Sequence, residues 1–467
     1  MQLQKYNHAY LIGIGGISVS AIAKLLLHHR VSVSGFDVAA SQITEELSQA
    51  GACIETDTAS AKLPADADLV VYSDAVPEND PLRIEALDRN ITTMSAFAFW
   101  GAYAKDMRVV AISGTNGKST TAALVGLMLE RAGFDPTVVV GTRVLAWDSN
   151  IRIGSSQWLV IEADEYHAHM LLLRPAIACI TNITADHLDF YRDIGDIQEH
   201  FQQWIDTILP DGGLVINRHD PASQTLSLPS VTCKRFAIQG DEGFRIAGIT
   251  VRSGAGLGTG TSGFNIIDED EDWGFTFAHV PGKHNLENIT AAAATAALAG
   301  VKPRHIMRTI ESFTGTWRRF EILGERNNAL IVSDYAHHPD AIRATIAAAR
   351  DWFPRRRIVA LFQPHQHNRT RRLFDDFAKS FDEADYLILS EIYYVTGRVA
   401  PQDSAVSSRQ LLAAIQQRNN SLQGEYAPDL AVAEKLLKQQ IRKGDVVLIM
   451  GAGTVDTVAR KLVAKAL

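Results

Sequence analysis

The stretch Val109–Glu130, VVAISGTNGKSTTAALVGLMLE, constrains this chain most. It opens with a short apolar run, passes through a tight Gly-bearing turn, and continues with helical apolar spacing at Ala123, Leu124, Leu127 and Met128. Strand, glycine loop and helix in that order make a phosphate cradle. Backbone N–H groups converge on the phosphates, and the helix N-terminus adds partial positive charge. Lys118 then reaches the terminal phosphates and the Ser119 hydroxyl is offered to Mg²⁺. The arrangement predicts binding of a nucleoside triphosphate.

A chain of 467 residues is too long for one core, and its length suggests about three domains. A formal net charge of −8 argues against a general binder of nucleic-acid backbone. Cys53, Cys179 and Cys233 follow no metal or disulfide spacing, which points to a reducing compartment. No apolar run reaches membrane-spanning length, and MQLQKYNHAY lacks a signal-peptide core. The expectation is a cytoplasmic protein, monomer or homodimer, with small-molecule partners.

Residues 1 to about 107 begin with AYLIGIGGISVSAIAKLLL: a strand, a turn at Gly13, Gly15 and Gly16, and a helix. A second strand, VSVSGFD, ends at Asp37, about where Rossmann folds place a ribose-binding acid. Ser18 stands where the third Gly of GxGxxG belongs, so the turn predicts a nucleotide diphosphate without specifying NAD. DLVVYSDAV brings Ser73 and Asp74 to a strand C-terminus, where open α/β sheets bind ligands.

From the glycine loop to about residue 314 runs a second α/β unit. WLVIEADEY ends in Glu162, Asp164 and Glu165; AIACITNITADHLDFY ends in Asn182, Asp186, His187 and Asp189. Together these strand ends suggest Mg²⁺ beside the triphosphate. A surface or capping role stays open for each residue alone, and a capping or core role for His187. FRIAGITV, GFNII and WGFTFAHV read as hairpins around GAGLGTGTSG, with Asp268–Asp272 as a solvated turn. PGKHNLENITAAAATAALAG returns to helix, and Asn285 and Asn288 cap it or meet a base edge. From about 315 the chain alternates strand and helix again, giving a third, parallel-type sheet. Its strand ends collect Asp334, Tyr335, His337, His338, His365 and Arg369, while Arg355–Arg357 reads as a solvated linker.

The motifs GTNGKST, EADEY, TNITADHLD, PGKHNLEN, RRFE, DYAHHP and LFQPHQHNRT occur in this order across nearly the whole chain. Together they resemble the Mur ligases of peptidoglycan synthesis. The GIGG opening, TWRRFE, DYAHHP and LFQPH are in the style of the member that joins L-alanine to UDP-N-acetylmuramate. The resemblance implies an α/β fold of three domains: a Rossmann-like UDP-sugar domain (1–107), a P-loop ATPase domain with a mixed sheet (108–314) and a Rossmann-like amino-acid domain (315–467). It also implies ATP and Mg²⁺ as cofactors. The lactyl carboxylate attacks the γ-phosphate, and the acyl phosphate is then attacked by the alanine amine.

Carried over by motif, Gly15, Gly16, Asp37 and Ser73 would contact the UDP-sugar. Gly114, Thr115, Asn116, Gly117, Lys118, Ser119 and Thr120 would hold ATP, with Asn288 at adenine, Arg319 at the phosphates and Asp334 at the ribose. Ser119, Glu162 and His187 would bind Mg²⁺. Tyr335, His337, His365 and Arg369 would line the amino-acid pocket, Arg369 suited to a carboxylate. Lys118, Glu162, His187, His337 and Arg369 would carry catalysis.

Several positions depart from the pattern. Asn116 stands where this member usually has His, and Ser119 where it has Thr. Gln366 and His367 replace an Arg and an aromatic, which leaves the identity of the amino acid open. No Lys occurs between Lys118 and Lys234, so the carbamylated lysine of several sister ligases has no candidate; Trp204 falls near its position. A recycling ligase that attaches a preformed tripeptide stays open as a rival. A nicotinamide-dependent dehydrogenase or a nucleotide-binding switch leaves the carboxylate strand ends or the third domain unexplained.

Overall fold

A computed structural model describes residues 3–464 apart from 59, 189, 253–259 and 394–405. The expectations for Asp189, and for most of the Gly-rich turn before Gly260, lie outside the described residues. The chain divides into two compact units: Met1–Ile246, Ile267–Trp273 and Asn288–Thr309 form the first, and Ala247–Ile266, Gly274–Glu287 and Ile310–Leu467 the second.

The first unit carries two sheets. β1 (His8–Ile12), α1 (Ile17–His28), β2 (Ser32–Phe36), α2 (Gln42–Gln49), β3 (Cys53–Glu55), β4 (Leu69–Tyr72), α3 (Pro81–Asp88), β5 (Thr92–Ser95) and α4 (Ala96–Ala104) follow one another. The strands pair in the order β3-β2-β1-β4-β5, all parallel. Near-continuous apolar runs such as LVVY suit a sheet covered on both faces. The order reverses between β1 and β4, which opens a crevice at their C-terminal ends.

β6 (Arg108–Ser113), α5 (Lys118–Arg131), β7 (Thr137–Val144), β8 (Ser149–Arg152), β9 (Trp158–Glu162), β10 (Ile177–Ile180), α6 (Ile194–Ile205), β11 (Gly213–Asn217) and β12 (Thr232–Ile238) build the second sheet. These seven strands run in the order β12-β11-β10-β6-β9-β7-β8 as part of a ten-stranded sheet, parallel to one another except for the β7–β8 pair. Every residue of α5 from Ser119 to Leu129 is buried, which explains its mixture of small and aliphatic side chains without a polar face. Trp204 is a core residue whose indole N–H donates to the Leu173 carbonyl at 3.2 Å. Phe99 and Trp100 of α4 share one core with Val109, Leu159, Met170 and Leu173, so the two sheets pack as one body. Lys24 Nζ to Asn150 Oδ1 (2.9 Å) and the Arg143–Glu46 ion pair (2.7 Å) tie α1 and α2 to β7 and β8.

β13 (Phe244–Arg252), β14 (Thr261–Asp268) and β15 (Glu271–Ala278) occupy the expected β-prone stretch. The acidic run is solvated only in part: Glu269–Asp272 are exposed, while Asp268 pairs with Lys234 at 2.5 Å. α7 (Lys283–Leu298) and α8 (Pro303–Ser312) follow.

In the second unit β16 (Glu321–Arg326), β17 (Ala329–Asp334), α9 (Pro339–Trp352), β18 (Ile358–Phe362), α10 (His367–Arg372), α11 (Phe374–Ala378), β19 (Tyr386–Ser390), α12 (Ser408–Arg418), β20 (Gln423–Ala427), α13 (Leu430–Gln440), β21 (Val446–Met450) and α14 (Asp456–Val463) form a third layered sheet. Its order is β16-β17-β21-β18-β19-β20. All pairs are parallel except β16–β17, a short antiparallel edge that the sequence does not announce. Trp352, Phe362, Phe377 and Phe381 fill one side of it. Arg357 is no solvated linker residue: it pairs with the buried Asp445 at 3.2 Å and its guanidinium lies over Tyr386. No helix among the described residues is long and apolar enough to cross a membrane.

Candidate functional site

β6 is central in its sheet, and register places its loop between two neighbouring strand ends. Ile112 pairs with Glu162 of β9 on one side, and Ser113 with Ile180 of β10 on the other. The glycine loop therefore leaves β6 between the EADEY and TNIT segments. Gly117 has φ of 89°, and a Cβ there would overlap the Asn288 side chain, so glycine is required twice over. Asn288 thus lies against the phosphate loop, while Asn285 turns away to the Pro281 carbonyl at 2.7 Å.

TNIT braces that loop. Asn182 Oδ1 accepts from the Asn116 N–H and its Nδ2 donates to the Asn116 carbonyl, both at 3.0 Å. The Thr115 N–H donates to the Asn182 carbonyl (2.9 Å), and Thr181 Oγ1 donates to the Asn116 carbonyl (2.6 Å). Asn182, read from sequence as part of a ligand cluster, is spent on holding the loop open. Its chemistry would have allowed that reading, because a side-chain amide mimics the backbone pair it replaces.

Lys118 Nζ donates to the Gly114 carbonyl (2.8 Å) and to Glu165 Oε2 (2.6 Å). Glu162, Asp164 and Glu165 surround this one ammonium, so the site holds more negative than positive charge. Burial opposes the charge on Lys118, but Glu165 and Asp164 outweigh it and raise its pKa, so it stays protonated. Burial pushes Glu165 up to about 7; Lys118 pulls it back and Asp164 adds to the rise. Ser119 Oγ donates to Glu162 Oε2 at 3.1 Å, and Gly141 N–H to Oε1 at 2.5 Å.

His187 lies beside Glu165. Its Nε2 stands 3.7 Å from Glu165 Oε1, its ring 4.5 Å from that of Tyr166, and its backbone adopts φ of 54°. Among the described residues no three His, Cys, Asp or Glu side chains converge on a metal position. Ser119 and Glu162 are two hard oxygen donors in a negatively charged pocket. That set fits Mg²⁺, which keeps waters and phosphate oxygens as its remaining ligands.

A cavity of about 210 Å³ joins the two sheets of the first unit. Ile17 and Ser18 of α1 line one end, Lys118, Glu162 and Asp164 the other, with Phe97, Trp100 and His169 along the wall. α1 starts at Gly16 with no side-chain cap, leaving its first N–H groups for an anion. Gly15 N–H donates to Asp37 Oδ2 at 2.8 Å, and a Cβ on Gly15 would meet that oxygen at 2.9 Å. Asp37 thereby shapes the glycine turn itself. Ser73 lies beside Gly13 across the β1–β4 crevice. The four sugar-nucleotide candidates therefore meet at one sheet end.

A second cluster lies at the β17, β21 and β18 ends of the second unit. Asp334 is a brace: its Oδ2 accepts from the Phe320 N–H and its Oδ1 from the Ala336 N–H, both at 2.7 Å. Both guanidiniums of Arg318 and Arg319 lie over the Tyr335 ring, at 5.0 and 5.2 Å. Arg318, absent from the expected set, also donates to the Gly451 and Gly453 carbonyls. His337 Nδ1 lies 3.0 Å from the Tyr335 carbonyl, and its ring 6.1 Å from that of His365. Burial, with the Arg369 charge nearby, pushes His337 down to about 3, so it is neutral with Nε2 free to accept. His365 stacks on Tyr393. Among the described residues Arg369 has no ion-pair partner. Gln366 sits at φ of 68° with its N–H on the Tyr393 carbonyl, and His367 Nδ1 lies 3.3 Å from the Val406 carbonyl. The structure brings Tyr335, His337, His365 and Arg369 together.

Three family models match the chain: "Mur ligase family, catalytic domain" over residues 8–108, "Mur ligase middle domain" over 112–296 and "Mur ligase, glutamate ligase domain" over 318–453. The UDP-N-acetylmuramate–L-alanine ligase of Salinibacter ruber is 36% identical over 461 residues, covering 97% of this chain and 94% of that protein. Its namesake from Caldanaerobacter subterraneus is 34% identical over 464 residues, covering 99% and 98%. Among solved structures, the UDP-N-acetylmuramate-alanine ligase of Thermotoga maritima superposes with a TM-score of 0.81 at 23% identity, covering 98% of both chains. A murein peptide ligase from Psychrobacter arcticus gives 0.72 at 22%, covering 99% and 100%. With matched segments running from residue 8 to 453 and full-length relatives above 30% identity, the chain belongs to the Mur ligase family.

Proposed function

We propose that this chain is an ATP-dependent ligase that joins L-alanine to the lactyl carboxylate of UDP-N-acetylmuramate in peptidoglycan synthesis, working in the cytoplasm. The observation that carries the reading is the cavity with an uncapped helix N-terminus at one end and Lys118 at the other. A sugar diphosphate seated on α1 points its carboxylate toward the γ-phosphate held by Gly114–Thr120. Relatives at 34–36% identity carry the same activity in their names.

In this reading residues 1–107 bind the UDP-sugar through Gly15, Gly16, Asp37 and Ser73. Residues 108–314 bind ATP, and residues 315–467 the amino acid. The carboxylate oxygen attacks the γ-phosphorus, the bond to ADP breaks, and a poor electrophile becomes an acyl phosphate. Lys118 leaves Glu165 for the phosphoryl oxygens and stabilises the charge spread over them. Ser119 and Glu162 would hold Mg²⁺, which would supply charge neutralisation for the phosphates; His187, 3.7 Å from Glu165, would position that carboxylate. Asn288 and Arg319 contact the nucleotide. Arg369 pairs with the alanine carboxylate, and neutral His337, with His365 and Tyr335, receives its ammonium.

Phosphate release from ATP in the presence of UDP-N-acetylmuramate, screened over single amino acids and over the L-alanyl-γ-D-glutamyl-diaminopimelate tripeptide, tests this. Release with alanine and not with the tripeptide is expected. Release only with the tripeptide assigns the chain to recycling, and release with neither overturns the ligase reading.

A further inference from the structure

The same cavity holds a histidine that the ligase reading does not use. His169 follows the EADEY strand end on a turn where His167 and Ala168 both adopt left-handed backbone, φ of 51° and 55°. Two consecutive non-glycine residues in that region are costly, and such strain gathers where a side chain must be aimed. Here the turn delivers the His169 ring to the cavity wall, facing Lys118, Glu162 and Asp164.

The ring is held from two sides. Phe97 stacks on it, centroids 3.8 Å apart and planes within 11°. Nε2 lies 3.1 Å from Oδ2 of Asp74, at the end of β4. A carboxylate on Nε2 fixes the tautomer with the proton there, so Nδ1 carries the lone pair. That Nδ1 is buried and has no hydrogen-bond partner among the described residues. An unsatisfied buried acceptor beside a cavity calls for a donor from the ligand. The charged groups facing the ring are Asp74 from β4, with Arg83 beyond it, Asp164 and His167 from its own segment, and Lys118 and Glu162 across the cavity. Burial lowers the His169 pKa, with Asp74 opposing, so the free ring is neutral.

We propose that His169, positioned by Asp74, takes the proton from the amine that attacks the acyl phosphate. This rests on the ligase reading. An amino acid arrives as an ammonium, which has no lone pair for attack. One N–H proton passes to His169 Nδ1 and on to solvent. The nitrogen then bonds the acyl carbon, the carbon–oxygen bond to phosphate breaks, and the second proton leaves with the phosphate. Asp74 acts through His169 and touches no reacting atom.

Hydroxylamine separates this step from the one before it, because its nitrogen is already unprotonated at neutral pH and intercepts an acyl phosphate without a base. His169→Gln keeps a donor toward Asp74 and lacks a basic nitrogen. With the full chain, ATP and UDP-N-acetylmuramate, this variant is expected to form hydroxamate at the wild-type rate. Its turnover with alanine should fall about 100-fold and recover as pH is raised, the loss typical of a missing general base. Asp74→Asn should shift the acidic limb of the alanine pH profile while leaving hydroxamate formation intact. Thermal unfolding of each variant with ATP checks folding, and His169→Asn serves if Gln disturbs the Phe97 stack. Equal loss of hydroxamate and amide would make His169 a ligand of the sugar nucleotide, and no loss of either would remove it from the reaction. No hydroxamate from the wild type overturns the ligase reading, and this role falls with it.

Discussion

The two clusters of polar side chains are finished to different degrees. Around the phosphate loop nearly every group already has a partner: Lys118 has Glu165, Asn116 has Asn182, Glu162 has Ser119 and Gly141. Around β17 and β18 the principal cation does not. Among the described residues Arg369 lacks an ion-pair partner, and burial favours the neutral form of His337. On the proposed reading, a site for a large polyanion can be prepaired, because its many phosphate oxygens would displace the internal pairs. A site for a molecule as small as alanine would have little binding energy to spend on rearrangement, so its charge complement would wait open.

That contrast breaks first at Lys118. Lys118→Ala should cut turnover about 10³-fold or more, since a donor aimed at transition-state charge is lost. Melting should change little, because Glu165 then takes a proton in place of its partner; turnover retained with unchanged Mg·ATP affinity removes the loop from the mechanism. Next comes Arg369→Ala, for which steady-state kinetics should give an alanine KM raised by about 2–5 kcal/mol, with KM for ATP and UDP-N-acetylmuramate unmoved. An unmoved alanine KM beside a raised sugar-nucleotide KM reassigns Arg369.

The third test uses pH. His284 is pushed down to about 4 by burial, with Arg319 nearby. A folded-state pKa below the unfolded value means the unfolded chain binds more protons. Its stability contribution is therefore whole above about pH 6.5 and is lost as pH falls toward 4, about 1–3 kcal/mol in all. Melting curves from pH 7 to 4 should show His284→Gln losing less stability than the wild type, and parallel curves would discard this account. The smallest expected effect is Asn182→Ala, which removes two bonds from the loop brace and should raise KM for ATP by about 1 kcal/mol while leaving alanine untouched. An equal rise for both would mean the brace is not local.

What the sequence makes legible follows from how far apart the partners lie along the chain. The strand–loop–helix at Val109–Glu130 is contiguous, and its geometry is as expected. Glu162 and Asn182 are legible as strand ends, but not which would touch the loop and how; that depends on strand order, with β9 and β10 flanking β6. Asp37 and Asp334 look like ligand residues because they end strands, yet their carboxylates also hold the backbone of Gly15, Phe320 and Ala336. Nothing in YHAHM marks His169 out from His167, because its partner Asp74 is ninety-five residues earlier and its strained turn has no glycine to announce it.

The Lys118–Glu165 pair makes the nucleotide site its own competitor. On the proposed reading ATP would have to win the ammonium away from a buried carboxylate, leaving part of its intrinsic affinity unexpressed; after transfer, ADP would hold the same ammonium with one phosphate fewer. Glu165 would then be the returning rival that evicts spent nucleotide. With Glu165→Gln the rivalry weakens, and stopped-flow measurement should find ATP bound more tightly and ADP leaving more slowly; unchanged ADP release would mean that the pair plays no part in clearing the site. On that reading the carboxylate that looks like a lock on the empty enzyme would keep the full one turning over.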